Sequence, residues 1–581
     1  MKTFFGRVLA VIVGIGLFCM LLFILFSGIV ALVGGSSKPQ ISSGTVLKID
    51  FDVPMRESAM EEETSIFNIE PQTTEYFMDI LHAIEKAKDD PKIEGISIEM
   101  DMVNDPGTAQ LNVLRRALVD FKQSGKFIYA YGNRISQTQY FLATVADSIF
   151  HNPLGNLELK GLSSEVLFFK NLGEKYGIEY QIIRHGDYKS AVEPFMRSDL
   201  SEENREQLQI MVNQMWDSMV SEIAAARNLS PQQINQVADS LAAFTAQGAL
   251  SNGLVDALVH ESQYHDVLKA RLGIDADKDL KYASITDYSS THLKKTSGDK
   301  VAVLYAYGGI MPGDSYTGIQ SETYKEEIRK LAQDDKVKAV VLRVNSGGGD
   351  ANTSEEILYE LKKLREKKPV VVSFGDVAAS GGYYIAMAND GLIAEPYTIT
   401  GSIGVLGMIP NFKGLANNIG VTWDKVETNA NSVYYSPFNG LKPGAEVMMR
   451  NQVEGIYNVF IQHVAEGRNM PLARVDSLGG GRIYTGIEAK RNGLVDDIGY
   501  LADAIKLAAQ KAEITNYNVK SYPIRPSNME LLLKSMNLSQ EVKNQILTSG
   551  SPEILKMYMR IDQLTKMNGV QALWPYDFQV K

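Results

Sequence analysis

The sequence predicts an α/β protein. It contains two tandem copies of one domain, each a mostly parallel sheet with crossover helices, set behind an N-terminal transmembrane helix. Three observations predict this: a long uncharged run near the N-terminus, strands alternating with helices along the body, and an internal repeat at a nearly constant offset.

From Val8 to Gly34 no residue is charged, over 27 positions. About 20 apolar residues suffice to cross a bilayer as a helix, whereas the apolar core of a cleaved signal runs about 7–15. Ala31-Leu32-Val33 is a poor cleavage site, so residues 1–35 are expected to be a short tip and an uncleaved anchor. Lys2 and Arg7 precede the run, which places the N-terminus in the cytoplasm. The rest of the chain is then exported, into the periplasm of a Gram-negative cell, from a single-pass anchor in the inner membrane. The one cysteine, Cys19, falls inside the run. The body therefore has no disulfide, cysteine nucleophile or cysteine-based zinc site. No cofactor or metal is expected, and the net charge of −11 argues against nucleic acid as a partner.

The repeat is read by placing Gly132-Asn-Arg-Ile-Ser-Gln-Thr-Gln-Tyr140 on Gly375-Asp-Val-Ala-Ala-Ser-Gly-Gly-Tyr383, an offset of 243. Asp147 then meets Asp390, Phe169-Lys170 meets Phe412-Lys413, Gly177 meets Gly420, and Pro194-Phe195 meets Pro437-Phe438, all without a gap. Later the offset drifts to 240, and Asn252-Gly-Leu-Val-Asp256 meets Asn492-Gly-Leu-Val-Asp496. The copies span 46–270 and 299–512, with 271–298 as linker and 513–581 as a C-terminal extension without counterpart.

Within the second copy, Val301–Tyr305, Ala339–Val344 and Pro369–Phe374 are short β-branched apolar runs of the kind found in buried strands. Glu322–Ala332 and Ser354–Lys367 have helical spacing. The alternation implies a parallel sheet.

Duplicated domains share fold residues, so chemistry is expected where they differ. Ser380 meets Gln137, Lys189 meets Ser432, and Gly381-Gly382 meets Thr138-Gln139. The glycines of Asn345-Ser-Gly-Gly-Gly349 fall opposite Asp101–Asp105, which has none. Ser380 joins a predicted strand to the predicted helix Tyr383–Asn389 through small residues. That is either a nucleophile elbow, with its hydroxyl at a helix N-terminus, or an ordinary N-cap. Asn345–Asp350 is an anion-binding glycine loop, a phosphate loop or a plain turn. The phosphate reading lacks the Lys-Ser/Thr pair, since Asp350-Ala351 follows. An oxyanion hole takes one donor beside the nucleophile and one from another loop, which suits Gly381 with Gly348 or Gly349.

A serine hydroxyl needs a base. Seven histidines are present, and the second copy holds only His463, in a helical stretch. His185 with Asp187 is one candidate; Lys189, among Tyr188, Ala191 and Val192, is the other if burial keeps its amine neutral.

Gly186-Asp-Tyr-Lys-Ser-Ala-Val-Glu-Pro-Phe195, Asn345-Ser-x-Gly-Gly349, Ala379-Ser-Gly-Gly-Tyr-Tyr384 and Thr400-Gly-Ser-Ile-Gly-Val405 together resemble the long, duplicated form of the signal peptide peptidase A family. The resemblance covers the anchor and both repeats. It implies two crotonase/Clp-protease-like domains and a serine protease that degrades remnant signal peptides after export. It carries the nucleophile to Ser380, the general base to Lys189, a lysine-orienting hydroxyl to Ser402, and the oxyanion donors to Gly381 and Gly349, with Gly348 the alternative. It further implies apolar peptides as substrates, contact with the bilayer through residues 8–34, and a homo-oligomer, a tetramer in the family. The sequence departs from the family at Gly347, where proline is usual, and at Asp350, where a small residue is common. Two other function classes compete: a crotonase-type acyl-CoA enzyme, to which an exported body offers little CoA, and a non-catalytic membrane scaffold, which would not need Ser380 or Lys189.

Overall fold

The structure is a computed structural model and describes residues 41–51, 55–57, 75–101, 107–292, 298–524 and 571–573. The apolar run 8–34 lies outside them. Among the described residues no helix is long and apolar enough to cross a membrane.

In the first repeat the main strands are β1 (Thr45–Ile49), β2 (Ile93–Asp101), β3 (Phe127–Ile135), β4 (Ser148–Leu157), β5 (Glu179–Arg184), β6 (Ala257–Leu258) and β7 (Tyr282–Ser284). All but β5 form one sheet in the order β6-β4-β3-β2-β1-β7, parallel throughout. In the second repeat they are β8 (Asp299–Tyr307), β9 (Val337–Ser346), β10 (Gly348–Asp350), β11 (Val370–Ala379), β12 (Ile399–Gly401), β13 (Leu406–Asn411), β14 (Ile483–Thr485) and β15 (Tyr517–Tyr522). The main path of the second sheet is β14-β12-β11-β9-β8-β15, parallel except where β14 runs against β12. Parallel strands buried on both faces must be apolar along their length, and Val301, Val303, Val340, Val341, Val370 and Val372 are all fully buried.

Short edge strands extend each repeat past the boundaries read from sequence. Tyr282–Ser284, within the stretch expected as linker, pairs in parallel with β1, and Tyr288 just beyond it packs into the first core. Tyr517–Tyr522, within the expected extension, pairs in parallel with β8. The two strands are topological counterparts. Both are short and rich in polar residues, as edge strands commonly are, so nothing in their pattern marks them as sheet.

The residues shared by the two copies hold the fold. Asp147 and Asp390 accept the main-chain N–H groups of Ile128 and Val370. Asp256 and Asp496 accept those of Ile149 and Leu392, and pair with Arg227 and Arg468. The repeated Asn-Gly-Leu-Val-Asp motif is therefore a strand anchor.

A third sheet joins the repeats. Its order is Ile319–Gln320, Ile310–Met311, β10, β16 (Gln571–Leu573), β13, β5. Strand β5 belongs to the first repeat and β13 to the second. They pair antiparallel over six residues each, from Arg184↔Leu406 to Glu179↔Asn411. The backbone of β16 runs antiparallel to β10, with Gly349 opposite Ala572.

Candidate active site

Strand β11 runs five residues further than its apolar run suggests, from Val370 to Ala379, and delivers Ser380 into helix α1 (Gly381–Ile385). Ser380 has φ +56° and ψ −121°, a conformation that costs a non-glycine residue about 1–3 kcal/mol and is retained only where the surroundings impose it. It stands at the N-cap position, but its side chain makes no capping hydrogen bond and is left for other contacts. The first repeat shows what an ordinary start looks like. There Ser136 has φ −69° and caps the helix by accepting from Gln139 N, while Gln137 Oε1 accepts from the N–H groups of Lys160 and Gly161.

The two glycines after Ser380 permit close packing against the glycine loop. A Cβ on Gly381 would lie 2.8 Å from Ser354 Oγ and 3.1 Å from Gly349 N; one on Gly382 would lie 2.5 Å from Ser346 O. Gly349 itself lies so close to Ile310 that a Cβ would meet its carbonyl oxygen at 2.0 Å. Gly381 and the loop of β10 thus face each other beside Ser380. The N–H of Gly348 is already donated to Ser346 Oγ at 3.1 Å. Asp350, one of the departures, does not turn toward the loop. It caps α2 (Ala351–Arg365) by accepting from Thr353 N and Thr353 Oγ1 at 2.8 and 2.7 Å.

Lys189 follows β5 and enters the second repeat. Its Nζ lies 2.8 Å from Ser380 Oγ, 2.9 Å from Ser402 O and 3.0 Å from Ser402 Oγ. The side chain is 1% exposed. Burial disfavours the ammonium and brings the amine down from 10.5 to about 7. Ala191 and Val192 pack with Leu406 beside it. Ser402 is a second strained position, with φ +49°, held by its N–H to Arg482 O at 2.7 Å. The counterparts in the other copy are inert: Ser432 lies in an exposed turn and Leu159 is buried.

The nearby carboxylates point elsewhere. Asp187 is exposed. Glu193 is fully buried and accepts from Asn204 Nδ2 and Ser201 N at 2.9 and 3.2 Å. His185 pairs with Glu454 at 2.8 Å and stacks on Tyr457, ring centroids 3.6 Å apart. His463 contacts Glu355 at 3.0 Å and packs edge-on to Tyr384.

Two features have little sequence signal. Gly479-Gly480-Gly481 presses against Lys189: a Cβ on Gly481 would come within 2.5 Å of the lysine's N and Cα. Arg343, the one charge in an apolar strand run, is buried between Glu57 and Glu395. Burial raises the carboxyl of Glu395 to about 8, against the opposing pull of Arg343. Among the described residues no cluster of three or more histidine, cysteine or acidic side chains could hold a metal.

A hydroxyl on a strained strand-to-helix elbow, beside glycine backbone and against a buried amine, is equipped for nucleophilic attack on an acyl carbon, which defines the class as serine hydrolase. The comparisons narrow the class. The model of peptidase family S49 matches residues 120–275 and 362–515, one stretch in each repeat. The chain is 36% identical to "Protease 4" of Salmonella typhi over 79% of its own length and 75% of the relative's. It is 33% identical to "Protease 4" of Haemophilus influenzae, over 86% and 84%, and 30% identical to "Serine protease SPPA, chloroplastic" of Arabidopsis thaliana, over 86% and 73%. A CoA-ligase model also matches residues 298–379, the stretch from β8 to the end of β11. The chain belongs to peptidase family S49 and is a serine peptidase.

Proposed function

We propose that the protein is a membrane-anchored Ser–Lys endopeptidase of crotonase/Clp-protease-like fold that degrades signal peptides left in the bilayer after export. The observation that carries the reading is the 2.8 Å contact between Lys189 Nζ and Ser380 Oγ, both residues buried. Neutral Lys189 takes the proton of Ser380 as Oγ attacks the peptide carbonyl carbon. The oxyanion accepts the N–H of Gly381 and that of Gly349; Gly348 is less suited because its N–H already has a partner. The lysine then donates its proton to the leaving amine; a water attacks the acyl-enzyme with Lys189 again as base, and the lysine returns that proton to Ser380 Oγ as the acyl carbon–Oγ bond breaks and the acid product leaves. Ser402 holds Nζ through two oxygens without adding a negative charge that would raise the amine again.

The uncharged run 8–34 supports the anchor, with the body in the periplasm, and an anchored site favours apolar peptides near the membrane. The homo-oligomer rests on the family resemblance alone. A fluorophosphonate applied to detergent-purified protein, with the adduct mapped, tests the chemistry. Labelling of Ser380 with loss of turnover is expected, and labelling elsewhere overturns the assignment. Reconstituted with synthetic signal peptides, the enzyme is expected to cut within their apolar cores. A preference for cuts beside charged residues counts against the substrate class.

A further inference from the structure

The lysine and the serine lie in different repeats, so something must fix their register to a fraction of an ångström. The strand pair β5–β13 ends at Arg184↔Leu406, five residues before Lys189. The turn 185–189 beyond it rests on the second repeat. Gly186 sits so close to Gly480 that a Cβ would meet its carbonyl oxygen at 2.2 Å, and Gly481 approaches the backbone of Lys189 equally closely. Gly480 and Gly481 have φ of +64° and +86°, which glycine adopts without strain. Gly404, on the other side, would place a Cβ 3.2 Å from Lys189 Cδ. The lysine stem is therefore pinched between two glycines, and Gly481 N–H is tied to Ile403 O at 2.9 Å, next to Ser402.

Two buried side chains from other elements bridge the turn and this segment. Tyr457, on the helix α3 (Pro443–Arg468), donates its hydroxyl to Asp476 at 2.7 Å and accepts the N–H of Gly480 at 3.4 Å, while its ring stacks under His185. Gln207, 3% exposed, donates to Asn204 Oδ1 at 3.1 Å, Ser190 Oγ at 3.2 Å and Tyr188 O at 3.4 Å, and accepts from Ile483 N at 3.2 Å. One side chain grips the turn before the lysine, the other the residues flanking it, and both tie it to the segment 479–483.

We propose that Gly479–Gly481, Tyr457 and Gln207 form a docking cradle that sets the position of Lys189 against Ser380, with Tyr457 and Gln207 as positioning residues for hydrolysis. The proposal rests on the Ser–Lys reading above. Neither side chain contacts Nζ, Ser380 or Ser402 in the hydrogen-bond network, so each acts through the backbone that carries the lysine.

The test uses the full-length detergent-purified enzyme and an apolar peptide substrate. Tyr457→Phe keeps the ring and its stack on His185 but removes both hydroxyl contacts; Gln207→Leu keeps the volume and removes all four bonds. Each is expected to lower kcat about 10- to 100-fold with KM within about twofold of wild type, since a displacement near 1 Å can cost that much. Each is also expected to move the midpoint of the pH–rate profile upward from about 7, because a loosened lysine admits water. Gly481→Ala, whose Cβ would strike Lys189, is expected to abolish labelling of Ser380 by a fluorophosphonate. If that variant does not fold, the first two decide alone. Wild-type kcat and profile in both overturn the cradle, as does a fall in kcat with an unmoved profile, which marks a general loss of folded protein. Lys189→Ala is run beside them. If it is inactive while Tyr457→Phe and Gln207→Leu behave as wild type, only the cradle fails. If it retains activity, the Ser–Lys reading itself fails.

Discussion

Burying an amine without a carboxylate partner leaves a mark on stability as well as on catalysis. Lys189 falls from 10.5 to about 7 with desolvation as the cause, a displacement worth about 5 kcal/mol at 1.36 kcal/mol per tenfold change in proton affinity. The sign follows from the protons bound. The native site binds fewer protons than the unfolded chain between about pH 7 and 10.5, so this group's contribution becomes less unfavourable as pH rises through that window. At pH 6 both states are charged and nearly the whole cost is present. At pH 9 about 2 kcal/mol remains. Lys189→Met, which fills the slot with an uncharged chain of similar length, is therefore expected to be more stable than the parent at pH 6, and the advantage to shrink by about 2.5 kcal/mol at pH 9. Urea unfolding at the two pH values, followed by tryptophan fluorescence, measures it. Both proteins carry Ser380→Ala so that self-digestion does not distort the curves. A stability difference that is the same at pH 6 and 9 would refute the claim that the amine is buried uncompensated.

With Lys189 as the proposed base, kcat/KM is expected to rise through a midpoint of about 7 as the amine loses its proton, and a midpoint above 9 on an apolar peptide contradicts a desolvated base. Lys189→Arg is expected to be inactive at every pH, because guanidinium does not deprotonate; activity lost in His185→Ala but kept in Lys189→Ala transfers the role to His185. Ser402→Ala removes the Oγ contact and leaves the Ser402 O contact, so kcat is expected to fall about tenfold, the worth of one buried hydrogen bond; a loss as deep as that of Lys189→Ala gives Ser402 a larger role. Arg343→Met leaves Glu57 and Glu395 buried without their cation and is expected to destabilise by about 3–5 kcal/mol. Adding Glu57→Gln and Glu395→Gln is expected to restore most of that loss in the same unfolding assay, and no restoration removes the charge argument.

The duplicated α/β plan was legible because buried parallel strands must be apolar throughout and because the strand-anchoring aspartates recur at matching places in both copies. Ser380 and Lys189 stood out for the opposite reason, since the copies differ there, whereas Ser402 came from the family resemblance. What stayed hidden was set by contacts distant in sequence. The edge strands Tyr282–Ser284 and Tyr517–Tyr522 are short and polar, and only their partners define them. The register of β5 on β13 links segments more than two hundred residues apart and has no local pattern. Gly479–Gly481 reads as a loop, since its need for glycine comes from Lys189 and Gly186, which approach it from the other repeat. The helix start at Ser380 was ambiguous from composition. The backbone angle that separates an elbow from a cap is imposed by the Gly381–Gly382 contacts with the β10 loop.

The crossing of β5 onto β13 also changes what duplication means for this chain. Two copies of a gene segment ordinarily provide a spare, so that damage to one is covered by the other. Here the amine stands in one copy and the hydroxyl in the other, and the position corresponding to each holds Ser432 or Gln137. The repeat that lacks the elbow cannot stand in for the one that has it, and the reverse holds for the lysine. The molecule carries two large, mostly parallel sheets and one of everything that meets at Lys189 Nζ, so doubling its length has given the site no redundancy.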